Sequence, residues 1–164
     1  MAYPAILGLR GGCHVTSETR DHPRVDGMGI FPHERLQAYQ LACIFVQRAL
    51  LIAEDVPRFR WFIADQLLRA ATSIQLNIAE GAAEFSPAEK ARFYRMARRS
   101  AAECAAMIDA LLSLRLIDAE QAKQDKQVLG RIAASLTRMI QTMERRKRER
   151  LPSPSPSPSP SPKP

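Results

Sequence analysis

Arg69, Ser73, Asn77 and Glu80 are separated by four, four and three residues in the otherwise mostly apolar stretch LLRAATSIQLNIAEG. On a helix those steps bring all four onto nearly one face. Guanidinium, hydroxyl, carboxamide and carboxylate together make a set of donors and acceptors that can satisfy itself. The expected role is structural: an internally paired polar line, between helices or between subunits, that fixes register and oligomeric state. A groove contacting a ligand is the other reading.

A second constellation is cationic. Arg92, Arg95, Arg98 and Arg99 cluster in RFYRMARRS, and Arg92, Arg95 and Arg99 share one helical face. Guanidinium groups pair with phosphate oxygens in a fork geometry, so such a face suits a nucleic-acid backbone. A plain solvated helix face stands beside that reading. Tyr94 is the one nearby aromatic able to stack a base. A third group, Arg145, Arg146, Lys147, Arg148 and Arg150, is the strongest electrostatic feature. It suits RNA, but it also suits a helix C-terminus, where the dipole favours cations, and a helix dissolving into a charged tail is the commoner case.

Catalytic chemistry finds no foothold. His14 and His22 lie in a Gly- and Pro-punctuated N-terminal stretch, and His33 stands at the edge of the first helical pattern. There is no H-E-x-x-H, nucleophile elbow or Walker pattern. The glycines of GLRGG lack the Lys-Ser/Thr of a phosphate loop. Paired carboxylates of a di-metal bundle need a Glu-x-x-His pattern that is missing. Cys13, Cys43 and Cys104 form no C-x-x-C pair, so neither zinc nor a disulfide framework is indicated. A non-enzymatic protein without metal or cofactor is expected.

These side chains must be carried by helices. The 164 residues suffice for one domain with a real core, and they are poor in aromatics and rich in Ala, Leu and Arg. No apolar run approaches the ~18 residues of a membrane span. MAYPAILGLRGGC does not read as a signal peptide, so a cytoplasmic location is expected. The net charge of +7 is unevenly spread: residues 1–30 are neutral, 31–144 carry +2 and 145–164 carry +5. High basicity is therefore mainly a C-terminal property. Residues 1–30 read as a flexible leader, 31–150 as a bundle, and the Pro-Ser repeat of 151–164 as a disordered, extended tail.

Four helical segments are expected. The first spans about His33 to Asp55, with Leu36, Tyr39, Cys43, Val46, Leu50 and Ala53 as its inward stripe. Leu41, Ile44 and Leu51 form a second apolar strip, which suits contact with another subunit or a central position. The second spans Trp61 to Glu80 over Ile63, Leu67, Ala70, Ile74 and Ile78, with Gly81 as its stop. Ser86-Pro87-Ala88-Glu89 is a capping box opening the third, which runs to about Leu114 with Phe93, Ala97, Ser100, Cys104, Met107, Leu111 and Leu114 as its stripe. Asp118 caps the fourth, whose stripe contains Val128, Leu129, Ile132, Leu136, Ile140 and Met143. Short links between them predict an all-α, antiparallel up-down-up-down four-helix bundle.

QLLRAATSIQLNIAEG followed by SPAEKARFYRMARRSAAE, with FPHERLQAYQLA upstream, resembles the bacterial 23S rRNA-intervening sequence proteins, also called four-helix bundle proteins. The likeness covers about Phe31 to Met143. It implies a four-helix bundle assembled into a ring, a homopentamer, and no catalysis. A related branch of that family is the accessory protein of diversity-generating retroelements, which implies structured RNA and a reverse transcriptase as partners. The sequence departs from the family's pattern twice. Ala82, Ala83 and Glu84 follow Gly81 where a second Gly and an Arg are common, and Arg99 replaces the Gly that often precedes Ser100. One basic position is lost and another gained, so the resemblance implies a shifted basic surface. Two function classes follow: an RNA-binding oligomer, alone or with a reverse transcriptase, and a structural oligomeric scaffold for a protein partner.

Overall fold

A computed structural model describes residues 30–149. The expected leader, apart from Ile30, and the expected tail lie outside the described residues, as does Arg150. Four helices run in sequence: α1 Gln37–Asp55, α2 Trp61–Ala83, α3 Pro87–Ser113 and α4 Ala119–Glu149. A single 3-10 turn, Pro32–Arg35, precedes α1, and another, Arg58–Arg60, joins α1 to α2. Each helix packs on its sequence neighbours, and α1 closes the circuit against α4. This is the antiparallel bundle that short links dictate. Among the described residues no helix is long and apolar enough to cross a membrane.

The core stripes of α2 and α4 fall largely where the periodicity puts them: Ile63, Leu67, Ala70, Ile74 and Ile78 are buried, as are Leu129, Ile132, Leu136, Ile140 and Met143, while Val128 is half-buried. On α3, Ala97, Ser100, Cys104 and Leu111 are buried, Phe93 and Met107 half-buried, and Leu114 is exposed beyond the helix end. In α1 the inward face is different. Ala38, Leu41, Ala42, Phe45, Ala49 and Ile52 are buried, while Leu50 and Leu51 are exposed and Tyr39, Cys43 and Val46 only half-buried. Three of the buried six are alanines, which let the helix backbone come close to its neighbours. A stripe chosen by side-chain bulk misses that face.

Two helix starts are built by distinct devices. The Asp118 carboxylate accepts from the Gln121 backbone N–H at 2.7 Å, the expected N-cap of α4. At α3 the expected capping box does not form: the Ser86 side chain makes no cap hydrogen bond, and Glu89 instead pairs with Arg92 at 3.2 Å. Pro87 at the first helical position removes one orphan donor and presets the backbone, so the start survives without the side-chain cap. Nor does Gly81 end α2, which continues to Ala83. Gly81 is instead a close-packing position: a Cβ there would stand 2.6 Å from Tyr94 Cε1 and 3.1 Å from Phe93 Cβ.

The α3–α4 link turns on Arg115, at φ 56. Leu116 N–H bonds the Leu111 carbonyl and Arg115 N–H the Leu112 carbonyl, both at 2.9 Å. That pair of bonds is a Schellman motif, with arginine where glycine is usual.

Candidate nucleic-acid interface

The polar line of α2 divides into a buried middle and exposed ends. Asn77 is buried, and its Nδ2 donates to the Ser73 carbonyl at 2.8 Å and to Ser73 Oγ at 3.1 Å. Ser73 Oγ in turn shares a 2.9 Å hydrogen bond with Ser100 Oγ on α3. Arg69 points outward and reaches back one turn to Asp65 at 2.8 Å, and Glu80 is exposed. Within one chain, therefore, Ser73 and Asn77 are linked to each other and to Ser100, and Arg69 and Glu80 stand apart from them. In the sequence, Ser100 is legible only as a small residue on the α3 stripe.

The four α3 arginines are exposed, and Arg95, Arg98 and Arg99 stand on the side of α3 toward α4. Arg92 pairs with Glu89 and lies over the Phe93 ring at 5.1 Å. Arg95 Nη1 meets Glu144 at 3.1 Å, and Arg98 Nη1 donates to Thr137 Oγ1 at 3.3 Å. Arg99 is exposed and enters none of these pairs. Between α3 and α4 runs a groove of about 480 Å³. Arg95, Arg98, Arg99 and Lys126 rim it, and small residues including Ala102, Ala105, Gly130 and Ala133 form its floor. No carboxylate is among the residues that line it. Nothing lies within 4 Å of where a Gly130 Cβ would be, so the groove stays open along α4.

Lys126 and Gly130 do not stand out in the sequence. They are four apart in α4, in a stretch whose charge and small residues resemble ordinary helix surface. Lys126 Nζ is held by Asp109 Oδ1 of α3 at 2.7 Å, on a partly exposed pair. Exposed pairs of this kind contribute roughly 0–1 kcal/mol, so an incoming phosphate competes easily with either carboxylate.

Tyr94, expected as the aromatic that could stack a base, cannot do so. It is 4% exposed and packs its ring on Gly81, and burial pushes its phenol above the usual tyrosine pKa. The α4 terminal cations divide as well. Arg145 meets Glu149 at 3.8 Å, and Arg146, Lys147 and Arg148 are exposed in the last helical turn, where the dipole favours them.

Two polar features escape sequence reading. Lys90 of α3 donates from Nζ to the Gly81 and Ala82 carbonyls at 3.3 and 3.0 Å, capping the C-terminus of α2. Desolvation lowers its pKa, with Arg146 adding to the shift and Glu84 opposing it. Arg48 of α1 pairs with Asp125 of α4, a carboxylate that is fully buried. Its Oδ2 has no hydrogen-bond partner. Among the described residues no group of three or more His, Cys, Asp or Glu is placed to hold a metal.

No curated protein matches the chain. A solved structure, a protein of unknown function from the S23 ribosomal protein family of Bacteroides thetaiotaomicron, superposes with a TM-score of 0.60 at 22% identity. The match covers 63% of this chain and 97% of that one, and at that identity it speaks for the fold. The sequence model of the 23S rRNA-intervening sequence protein family matches residues 34–138, from the turn before α1 to the last third of α4. The chain belongs to the 23S rRNA-intervening sequence protein family.

Proposed function

We propose that the protein binds the phosphate backbone of structured RNA along the α3–α4 groove, as a non-enzymatic module. The observation that carries this is the groove's lining: four cations at the rim, a floor of small side chains, and no carboxylate. Small residues let a backbone approach closely, and the arginine forks can take two phosphate oxygens each. The family's name, which refers to ribosomal RNA, supports the same reading.

The protein acts as a homo-oligomer in this proposal, with the ring of five implied by family resemblance as the expected form. Support comes from the outer side of α1 and α2, where Leu50, Leu51 and Leu76 are exposed. Copies arranged in a ring repeat one weak groove and convert it into avidity on a folded RNA.

Titration of the full chain with a structured RNA at several salt concentrations tests the groove. Arg98→Gln with Arg99→Gln should weaken binding. The slope of log affinity against log salt should flatten by about 0.7–0.9 for each phosphate that is no longer neutralised. If the parent protein binds no structured RNA at low salt, the RNA reading fails and a protein scaffold takes its place. Light scattering tests the oligomer, and a monomer at micromolar concentration rules it out.

A further inference from the structure

The antiparallel course of the chain brings the C-terminus of α1, both ends of the α1–α2 link, the C-terminus of α3 and the start of α4 to one end of the bundle. That end carries an unusual segment. Arg58-Phe59-Arg60-Trp61-Phe62 interleaves cations with aromatics, and the three rings are left in solvent: Phe59 is 74% exposed, Trp61 62% and Phe62 56%. A folded chain rarely leaves three neighbouring large rings uncovered without a partner for them. Arg60 lies over the Phe59 ring at 5.1 Å and its Nη1 reaches the Leu114 carbonyl at 3.5 Å. The segment is thereby tied to the α3–α4 link, at the end of the bundle toward which the basic groove runs from Arg95 to Lys126.

We infer that the Phe59–Trp61–Phe62 end is a base-stacking platform continuous with the α3–α4 groove, so that the RNA taken is one with an unpaired segment. This deepens, and rests on, the backbone-binding reading of the groove. The chemistry favours nucleic acid over a protein surface. Every base offers a π-face that an exposed ring can cover, and each neighbouring phosphate offers a charge that an interleaved arginine can meet. From Val56 to Ala64 the segment holds two arginines and no acid; Glu54 and Asp55 lie on the last turn of α1, before Pro57. A groove that tracks the backbone and ends in stacking rings is the general plan of single-strand binding. In a duplex the bases are already stacked on each other, and these rings would have nothing to cover.

Trp61 is the chain's one tryptophan, so its emission reports directly on this end of the bundle. The experiment titrates the full chain with a single-stranded RNA, a duplex of equal length and a hairpin with an unpaired loop. Each is followed by tryptophan emission and by anisotropy of the labelled RNA. The single strand and the hairpin are expected to quench Trp61 saturably, and the duplex to leave it nearly unchanged. Phe59→Ala with Trp61→Ala should lower affinity for the single strand and the hairpin by about tenfold or more, and for the duplex by less than about twofold. Trp61→Phe, which keeps a ring, should retain affinity. These residues are exposed, so helix content by circular dichroism should match the parent in every variant. Arg98→Gln with Arg99→Gln should weaken all three RNAs alike.

If RNA binds but the aromatic variants bind it like the parent, the stacking platform is overturned and the groove stands. Preference for the duplex overturns it too. If the aromatic variants lose self-association instead, with affinity per chain unchanged, the platform is overturned and the rings belong to an interface between copies. If no RNA binds, the groove reading falls and the platform with it.

Discussion

The Tyr94 ring lies so close to Gly81 that no side chain fits between α2 and α3 there: an added Cβ would meet Tyr94 Cε1 at 2.6 Å and Cδ1 at 2.9 Å. The close approach sits where Lys90 caps the end of α2, so one glycine sets both the helix separation and the reach of that cap. Gly81→Ala gains up to about 1 kcal/mol of helix propensity. Against this, overpacking a rigid aromatic neighbour costs about 1–3 kcal/mol. Net destabilisation is expected in urea unfolding. In the Tyr94→Leu background the same substitution should cost much less, because the ring that it meets has gone. Equal costs in both backgrounds would show that Tyr94 is not what excludes the Cβ.

The Arg48–Asp125 pair predicts an asymmetry. Asp125 is fully buried, whereas the Arg48 side chain is 31% exposed. Removing Arg48 strands a buried carboxylate, at a cost of about 3–5 kcal/mol. Removing Asp125 frees a guanidinium that can turn towards water and leaves a smaller penalty. Arg48→Met should therefore unfold at clearly lower urea than Asp125→Leu. The reverse order would mean that water or another donor already satisfies Asp125 Oδ2.

Much of the bundle is readable because burial on α2 and α4 follows bulky side chains at a helical period, and the period alone gives the inward face. On α1 the inward face is half alanine, and bulk points to the wrong side. The candidate site divides for a related reason. A run of arginines in α3 announces itself locally, but the groove needs Lys126 and Gly130 from α4, and nothing in the sequence says that they face those arginines. Ser73 and Asn77 pair within α2, and α3 offers Ser100 to the Ser73 hydroxyl. Arg69 and Glu80 sit on the same sequence line but rotate past the helix interface into solvent. Nothing in the sequence marks Phe59, Trp61 and Phe62 as exposed; the link's 3-10 turn and the first turn of α2 leave them outside.

Arg115 holds a left-handed backbone at φ 56 to complete the Schellman motif after α3. That conformation costs a non-glycine residue about 1–2 kcal/mol, while glycine loses somewhat more chain entropy on folding. Arg115→Gly should stabilise the bundle by roughly 0.5–1 kcal/mol, a few degrees in melting temperature. Arg115→Val should do the opposite, because a β-branched side chain tolerates that conformation poorly. A glycine variant that melts below the parent would show that the arginine side chain contributes more than its backbone costs.

Cys104 gives the bundle a built-in alkaline limit. It is fully buried in α3, and its thiol is pushed up to about 12, first by burial and then by the nearby Glu103 charge. The sign follows from proton counting. Between the ordinary thiol value of 9.0 and about 12, the unfolded chain has lost the proton that the folded chain retains. Raising pH across that window therefore favours unfolding, by about 1.4 kcal/mol per pH unit. Below the lower value the contribution to stability is fully present. Tyr94 and Tyr39, both raised chiefly by burial, act in the same direction at their own higher onset. Cys104→Ala isolates the thiol: its stability at about pH 8 should fall modestly through poorer packing, while its decline between about pH 9 and 11 should be shallower than the parent's. Urea unfolding at closely spaced pH values checks this. Parallel curves for parent and variant would mean that the folded bundle opens enough for Cys104 to ionise at its ordinary pKa.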